Sequence, residues 1–418
     1  MVRLVKHSFL LLALLALPAV AEGAEDQMFT ARSKHYEVRS DVSQRFAQLV
    51  SQHMESIYGE YMRRFRDYGL RDAGVFNVVV YAKKDDYDAS VPRPLIGSAG
   101  AFISVRKLLA AWRGERSDEE VFRTLYHEGF HQFLFTTMPH PVPIWVNEGF
   151  AEYFAEATWN GRSFTTGRVP YMRLFVIQKA LKDGEHIPLS DLFAMSDQDW
   201  MDTVGADQNR ANIQYCEAWS VVHFLAHAQG GRHRARILSY LKQLSEGEDR
   251  DKAFKRSFGS DARAFERAWA GYVRDLKPTP DEICRKNLEV ILFLALSYYR
   301  DPARFTSLES FAADVLNTGR MTWEVTAGDG DKISSADRER VRSLFTCPYD
   351  KRRHGISYVL VRDPKTSLPM VFCGYHAGIV YKAHCVPREE GGYRVYVEQV
   401  VRETMPPDLV KLLRAQNK

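Results

Sequence analysis

His127, Glu128 and His131 stand in the string Tyr126-His127-Glu128-Gly129-Phe130-His131-Gln132. Two histidines four residues apart on a helix project from one face, so both imidazoles can reach one metal ion. The glutamate after the first then lies within reach of a water on that ion. Downstream, Asn147-Glu148-Gly149-Phe150-Ala151-Glu152 supplies a third donor in Glu148. Two imidazoles and a carboxylate suit zinc, and three protein ligands leave a fourth position open for chemistry. Glu152, one helical turn beyond Glu148, is placed to accept a hydrogen bond from the outer nitrogen of His127 and so to fix its tautomer. A purely structural zinc site closes with four protein ligands and has no use for an acid such as Glu128 beside an open position, so the set points to hydrolysis. His223 and His227 share the four-residue spacing, but Phe224 stands where the glutamate belongs and no third ligand follows, which makes them structural or solvated.

These residues need helices, and the sequence predicts them. Ser117 followed by Glu120 forms a capping box that starts a helix through Val121 to Phe135, with the two histidines near its centre. Pro139, Pro141 and Pro143 stop it, and Trp145 to Ala157 resumes as a second helix that carries Glu148. Upstream, His35 to Arg39, Val75 to Tyr81 and Ala101 to Val105 read as strands, and Asp41 is the expected cap of a helix whose apolar residues run from Phe46 to Phe65. Ser190 to Ala211 reads as irregular and Ile213 to Ala228 as a strong helix. Past Lys277-Pro278-Thr279-Pro280 the period moves toward two. Ile356 to Arg362, Met370 to Cys373, Ile379 to Cys385 and Tyr393 to Val400 predict a small antiparallel sheet. The expected fold class is α+β, with a mixed sheet and a helical metal-binding part over residues 22–276, a linker at 277–280, and a smaller β-rich domain over 281–418.

Arg3 and Lys6, the apolar run Phe9 to Leu17 and Ala19-Val20-Ala21 fit a secretory signal peptide over residues 1–21, so the chain is expected to be exported, to a periplasm or outside the cell. The run is too short to span a membrane, and Leu288 to Tyr299 is short and contains Glu289, so no mature span is expected. Without the leader, 55 Lys and Arg stand against 53 acids, and basic residues alternate with acidic ones without a stripe, which excludes nucleic acid as an indicated partner. Cys284, Cys347, Cys373 and Cys385 lie in the last third. An even count in an exported region predicts two disulfides there, with free buried thiols as the competing expectation. Asp329 and Asp331 lack the glycine and glutamate of a calcium loop and read as a polar turn.

The order His127, Glu128, His131, then Asn147-Glu148-Gly149-Phe150-Ala151, then the helix at Ile213-Gln214-Tyr215-Cys216-Glu217-Ala218, resembles the gluzincin metallopeptidases, the thermolysin and aminopeptidase N type. From His35 to Leu276 the chain resembles the peptidase MA-like families of exported bacterial proteins. The resemblance implies zinc on His127, His131 and Glu148, Glu128 as general base, Tyr215 as donor to the carbonyl oxygen, and a peptide or protein substrate. On its residues alone Tyr215 reads as a core tyrosine on a helix face. One element departs from the aminopeptidase pattern: Gly100-Ala101-Phe102-Ile103-Ser104 has Ile103 where a glutamate would anchor a free ammonium. That favours an endopeptidase, unless Glu152 or Glu156 replaces the anchor. Ala101 to Val105 remains suited to pairing with an extended peptide along a strand edge. The rival expectation is a non-catalytic module that keeps zinc for structure, or has lost it, and binds a partner through its last domain.

Overall fold

Five strands form the sheet on which the histidine-bearing helix is laid. The computed structural model describes residues 28–299, 324–326, 332–348, 358–373, 379–388, 391–401, 405, 407–408 and 410–411. The expected signal peptide and Asp329 and Asp331 therefore lie outside the described residues. Strands β1 (Phe29–Arg32) and β2 (Tyr36–Ser40) are antiparallel, and α1 (Gln44–Phe65) follows. Ser43 caps α1, its hydroxyl accepting from the Phe46 amide. The expected cap, Asp41, is instead turned to the sheet, where its carboxylate accepts from the Ala82 amide at 2.5 Å. Next come β3 (Phe76–Tyr81), α2 (Lys84–Ser90), β4 (Gly100–Ile103) and β5 (Leu108–Trp112).

The strand order is β1-β2-β3-β5-β4, with β2, β3 and β5 parallel and β4 antiparallel at the edge. Neither β1 nor β5 was expected. In β5, Leu108-Leu109-Ala110-Ala111-Trp112, the central alanines carry no strand preference of their own, and burial between neighbours decides the conformation.

Helix α3 (Asp118–Thr137) opens on the capping box, with Ser117 accepting from the Glu120 amide and Glu120 from the Ser117 amide, and acids fill its first turn. It is followed by α4 (Ile144–Ala155), the short hairpin β6 (Thr158–Trp159) and β7 (Phe164–Thr165), and α5 (Tyr171–Asp183). The stretch expected to be irregular is mostly helical, with α6 (Leu189–Ala194) and α7 (Asp197–Ala206). Pro188 begins the first, a Ser196–Asp199 capping box begins the second, and Leu189, Leu192 and Trp200 are the buried residues that hold them. Helix α8 (Gln208–Gly231) breaks at Ala228–Gly230, and α9 (Arg234–Ser245), α10 (Arg250–Phe258) and α11 (Ala262–Asp275) complete the first core.

A second core forms on α12 (Pro280–Tyr299), with the pair β8 (Glu324–Thr326) and β9 (Lys332–Ser334), and α13 (Arg338–Leu344). Its sheet is the antiparallel order β10 (Tyr358–Arg362), β11 (Pro369–Cys373), β12 (Ile379–Pro387) and β13 (Tyr393–Val401), as the alternating pattern predicts. Overall the class is α+β. Among the described residues no helix is long and apolar enough to cross a membrane. One disulfide joins Cys284 to Cys347, whereas Cys373 and Cys385 are buried thiols, so the expectation of two disulfides is corrected. The register Phe372↔Lys382 sets Cys373 opposite Tyr381, whose amide donates to its sulfur at 3.0 Å. Cys385 is then four residues along the strand, about 13 Å away and beyond disulfide reach. The two apolar clusters do not merge. They meet through polar groups, with Glu119 accepting from Arg285 and from the Gln399 amide, and Arg168 pairing with Asp281 and Glu282.

Candidate metal centre

Helix α3 is buried along most of its length, and two features fix it in place. Gln132 donates from Nε2 to the carbonyls of Asn77 and Lys107, at 3.0 and 3.1 Å, tying the helix to β3 and to the turn before β5. Gly129 lets α1 approach, since a Cβ there would lie 2.6 Å from the end of Met54. On the other side α4 lies against α8 with Gly149 at the contact. A Cβ on Gly149 would meet the Ala218 carbonyl oxygen at 2.6 Å and Val222 at 2.7 Å, so only glycine allows this approach. Glu148 precedes that contact and is thereby pressed toward the histidines.

His127, His131 and Glu148 converge, each offering a ligand atom within 4.8 Å of the others. Nε2 of His127 and Nε2 of His131 each stand 3.6 Å from Oε2 of Glu148. Donors at about 2.0–2.1 Å from a tetrahedral ion lie about 3.3–3.4 Å apart, so the spacing fits one ion. All three are buried, and neither Glu148 oxygen takes part in a hydrogen bond. An ionised carboxylate held that way is costly unless a cation meets it. Burial first, then the charges of Glu152 and Asp197, drive the Glu148 carboxyl well above its ordinary pKa in the metal-free chain. This group can hold a metal ion.

The surrounding residues orient the donors. Nδ1 of His131 lies 2.7 Å from Oδ1 of Asn147; with Nδ1–H donating, Nε2 keeps its lone pair toward Glu148. Nδ1 of His127 faces Oε1 of Glu152 at 3.6 Å, the side expected, though too long for a hydrogen bond. Glu152 is ion-paired through its other oxygen to Arg173 of α5, and Arg173 also holds Glu156 at 2.9 Å. Glu156 pairs with Arg123 as well. Burial works to raise its pKa, but Arg123, Arg173 and Arg168 outweigh it and hold the carboxyl at about 2. Neither acid is free to anchor a substrate ammonium.

Glu128 lies outside the three-residue group and reaches β4. Its Oε2 accepts from the Phe102 amide at 2.9 Å, and its Oε1 is buried without a hydrogen bond. Burial, then Glu148, push this carboxyl well above its usual range. Strand β4 is the sheet edge expected over Ala101 to Val105, but the Phe102 amide serves Glu128 rather than an incoming strand. Tyr215 lies on α8 with its ring at 5.2 Å from that of Trp200. Burial first, then the charge of Glu148, hold its phenol far above its ordinary pKa, so it stays protonated. His223 and His227 are engaged with Tyr272 and Tyr153, at 2.7 and 2.9 Å, as structural residues. Beside His131 and Asn147 opens a cleft of about 510 Å³ whose lining includes Phe102.

Residues 121–270 match the model of a family described as a protein of unknown function, DUF1570. That span contains His127, Glu128, His131, Asn147, Glu148, Glu152, Arg173 and Tyr215, but not Phe102. Among curated proteins and among solved structures no significant match is found.

Sequence reasoning did not single out Asn147, Arg173, Phe102 or Gly149. Asn147 and Gly149 flank Glu148 directly and were visible as neighbours. Arg173 and Phe102 reach the site from other elements, with no spacing rule to reveal them.

Proposed function

We propose that the chain is an exported zinc-dependent peptidase that cuts peptide bonds, with internal bonds favoured over the amino-terminal one. The observation that carries this reading is the separation of labour between Glu148, which joins the two imidazoles, and Glu128, which is adjacent to them but outside the group. Zinc, when bound, acidifies a coordinated water to a pKa of about 7 and polarises the substrate carbonyl. His127, His131 and Glu148 would hold it, with Asn147 fixing the His131 tautomer and Glu152 facing the outer nitrogen of His127. Glu128, steadied at Oε2 by the Phe102 amide, takes a proton at Oε1 and passes it to the leaving amine. Tyr215 donates its phenolic hydrogen toward the developing oxyanion. Arg173 and Arg123 occupy Glu152 and Glu156, and Ile103 offers no charge, which supports the endopeptidase preference. An unbiased peptide digest with and without chelator tests the reading. Chelator-sensitive cleavage of acetylated and free peptides at similar rates is expected. Strict need for a free amine would return the site to aminopeptidase chemistry, and metal binding with no cleavage would favour the non-catalytic module.

A further inference from the structure

A second cavity, of about 790 Å³, lies between the two cores, and its lining contains none of the residues of the metal centre. Residues of α1, the first half of α3 and β6 form one side, and Lys382 of β12 with Glu398, Gln399 and Val400 of β13 form the other. Its carbon comes chiefly from Phe46, Leu49, Phe122 and Trp159. Cavities of this size, with aromatic walls and a few polar groups where two folded units meet, suit small organic molecules. The polar groups lean toward cations. Arg45, Arg113, Arg123, Arg168 and Lys382 face the lining acids Asp118, Glu119 and Glu398, and each acid is already engaged, Asp118 by Arg113, Glu119 by Arg285 and the Gln399 amide, Glu398 by Lys382. Arg45 is exposed on α1 and has no ion pair among the described residues. Arg113 gives Nε and Nη2 to Asp118 and lies over the Phe46 ring at 5.5 Å, while Arg123 gives Nη2 to Glu156, so both keep N–H groups to spare. One neutral donor completes the set. His53 lines the cavity with its ring stacked on Phe122 at 3.9 Å, and its Nδ1 lies 2.5 Å from the Tyr126 hydroxyl. Among the described residues that contact is the phenol's only hydrogen bond, so the phenol donates, Nδ1 accepts and the ring hydrogen sits on Nε2, which has no partner there. Burial lowers the His53 pKa to about 4, which keeps the ring uncharged.

We propose that the cavity between the cores binds a small aromatic carboxylate, its ring against the Phe122 and Trp159 wall and its charge on Arg45, Arg113 and Arg123, with His53 donating from Nε2. The site is separate from the metal centre and does not rest on the peptidase reading. A planar guanidinium matches a carboxylate in geometry as well as in charge. A single charge suits the lining better than a phosphate dianion, because Arg168 is neutralised by Asp281 and Glu282, Lys382 by Glu398, and the carboxylates of Asp118 and Glu398 remain in the wall. The same chemistry is carried by a free arylalkanoic acid and by the carboxy-terminal aromatic residue of a peptide. Either ligand touches both cores at once and so holds their seam closed by mass action.

Calorimetry on the full chain tests the site with 3-phenylpropionate and with acetyl-Ala-Ala-Phe bearing a free carboxylate, each beside its carboxamide. At least one carboxylate should bind, at least about 10-fold tighter than its amide, and equally well in the zinc-loaded and the chelated chain. Binding of 3-phenylpropionate identifies a free acid as sufficient, and binding of the tripeptide alone identifies a chain end. Arg45→Glu, at an exposed position, and His53→Phe, which keeps the ring on Phe122, should each weaken the carboxylate by about 5-fold or more. Amide hydrogen exchange locates the ligand, with slower exchange expected in β13 and α1. Failure of both carboxylates to bind, equal affinity for acid and amide, or unchanged affinity in both variants overturns the proposal. Binding that needs zinc, or protection confined to α4 and β4, places the carboxylate at the metal centre and overturns it as well.

Discussion

Single residues divide the work at the centre. Glu148→Ala removes the carboxylate that joins the two imidazoles, and the purified chain should then lose its metal, as read by elemental analysis. Glu128→Gln should retain metal and lose nearly all cleavage, since that carboxylate lies outside the donor group. Glu152→Ala and Arg173→Met should each weaken metal retention by about 10- to 100-fold in a competition titration, the usual cost of disturbing a partner behind a ligand. An Arg173→Met chain with unchanged affinity would show that the ion pair with Glu152 is structural only. Away from the centre, Glu217 of α8 is buried, accepts from the Ile187 amide at 2.9 Å, and is raised by burial from 4.5 to about 8. A carboxyl whose folded pKa is raised favours folding below the unfolded value and loses that contribution as pH rises through the folded one. Glu217→Gln should therefore be more stable than the parent by an amount that grows from about pH 4.5 to about pH 8 and reaches a few kcal/mol at most. Denaturant melts at pH 5, 7 and 8.5 measure it, and a constant difference would refute the shift.

At the scale of elements, α4 and α8 touch through a single missing side chain. Gly149→Ala would drive a Cβ against the Ala218 carbonyl, which is backbone and cannot swing aside, so the helices must part. The expected cost is about 1–3 kcal/mol, with weaker metal retention because Glu148 moves with α4. A thermal melt and a metal titration on the same variant check both. The site was legible where chemistry imposes a local spacing. His127, Glu128 and His131 must share one helix, the Ser117–Glu120 box announces that helix, and Glu148 lies in a recognisable string. Phe102 was not legible, because it comes from a strand 26 residues before Glu128 and is selected by sheet geometry rather than by side-chain type. Arg173 reads in the sequence as one more surface cation. Strand β5 was missed because alanine carries no strand signal, and α6 and α7 because their polar residues resemble loop composition until Leu192 and Trp200 are seen buried. Asp41 and Ser43 are both competent caps, and only the position of Ala82 decides between them.

Across the whole molecule, the disulfide and the candidate centre belong to different cores. Cys284 and Cys347 are 63 residues apart, and cross-linking a loop of that length contributes about 4 kcal/mol. Cys284→Ala with Cys347→Ala should destabilise the second core by about that amount while metal content stays unchanged. Loss of metal on that double replacement would mean that the second core holds the first together. The seam between the cores is made of charge and main-chain hydrogen bonds, with Glu119, Arg168, Asp281, Glu282 and Arg285 at its centre. Groups of that kind recover hydration when parted, unlike apolar surface, so the net cost of separation is modest. Amide hydrogen exchange should accordingly sort into two cooperative blocks. Protons of α12 and β10 to β13 would be released together, at a lower opening free energy than those of α3 and α4, whose exchange reports global unfolding.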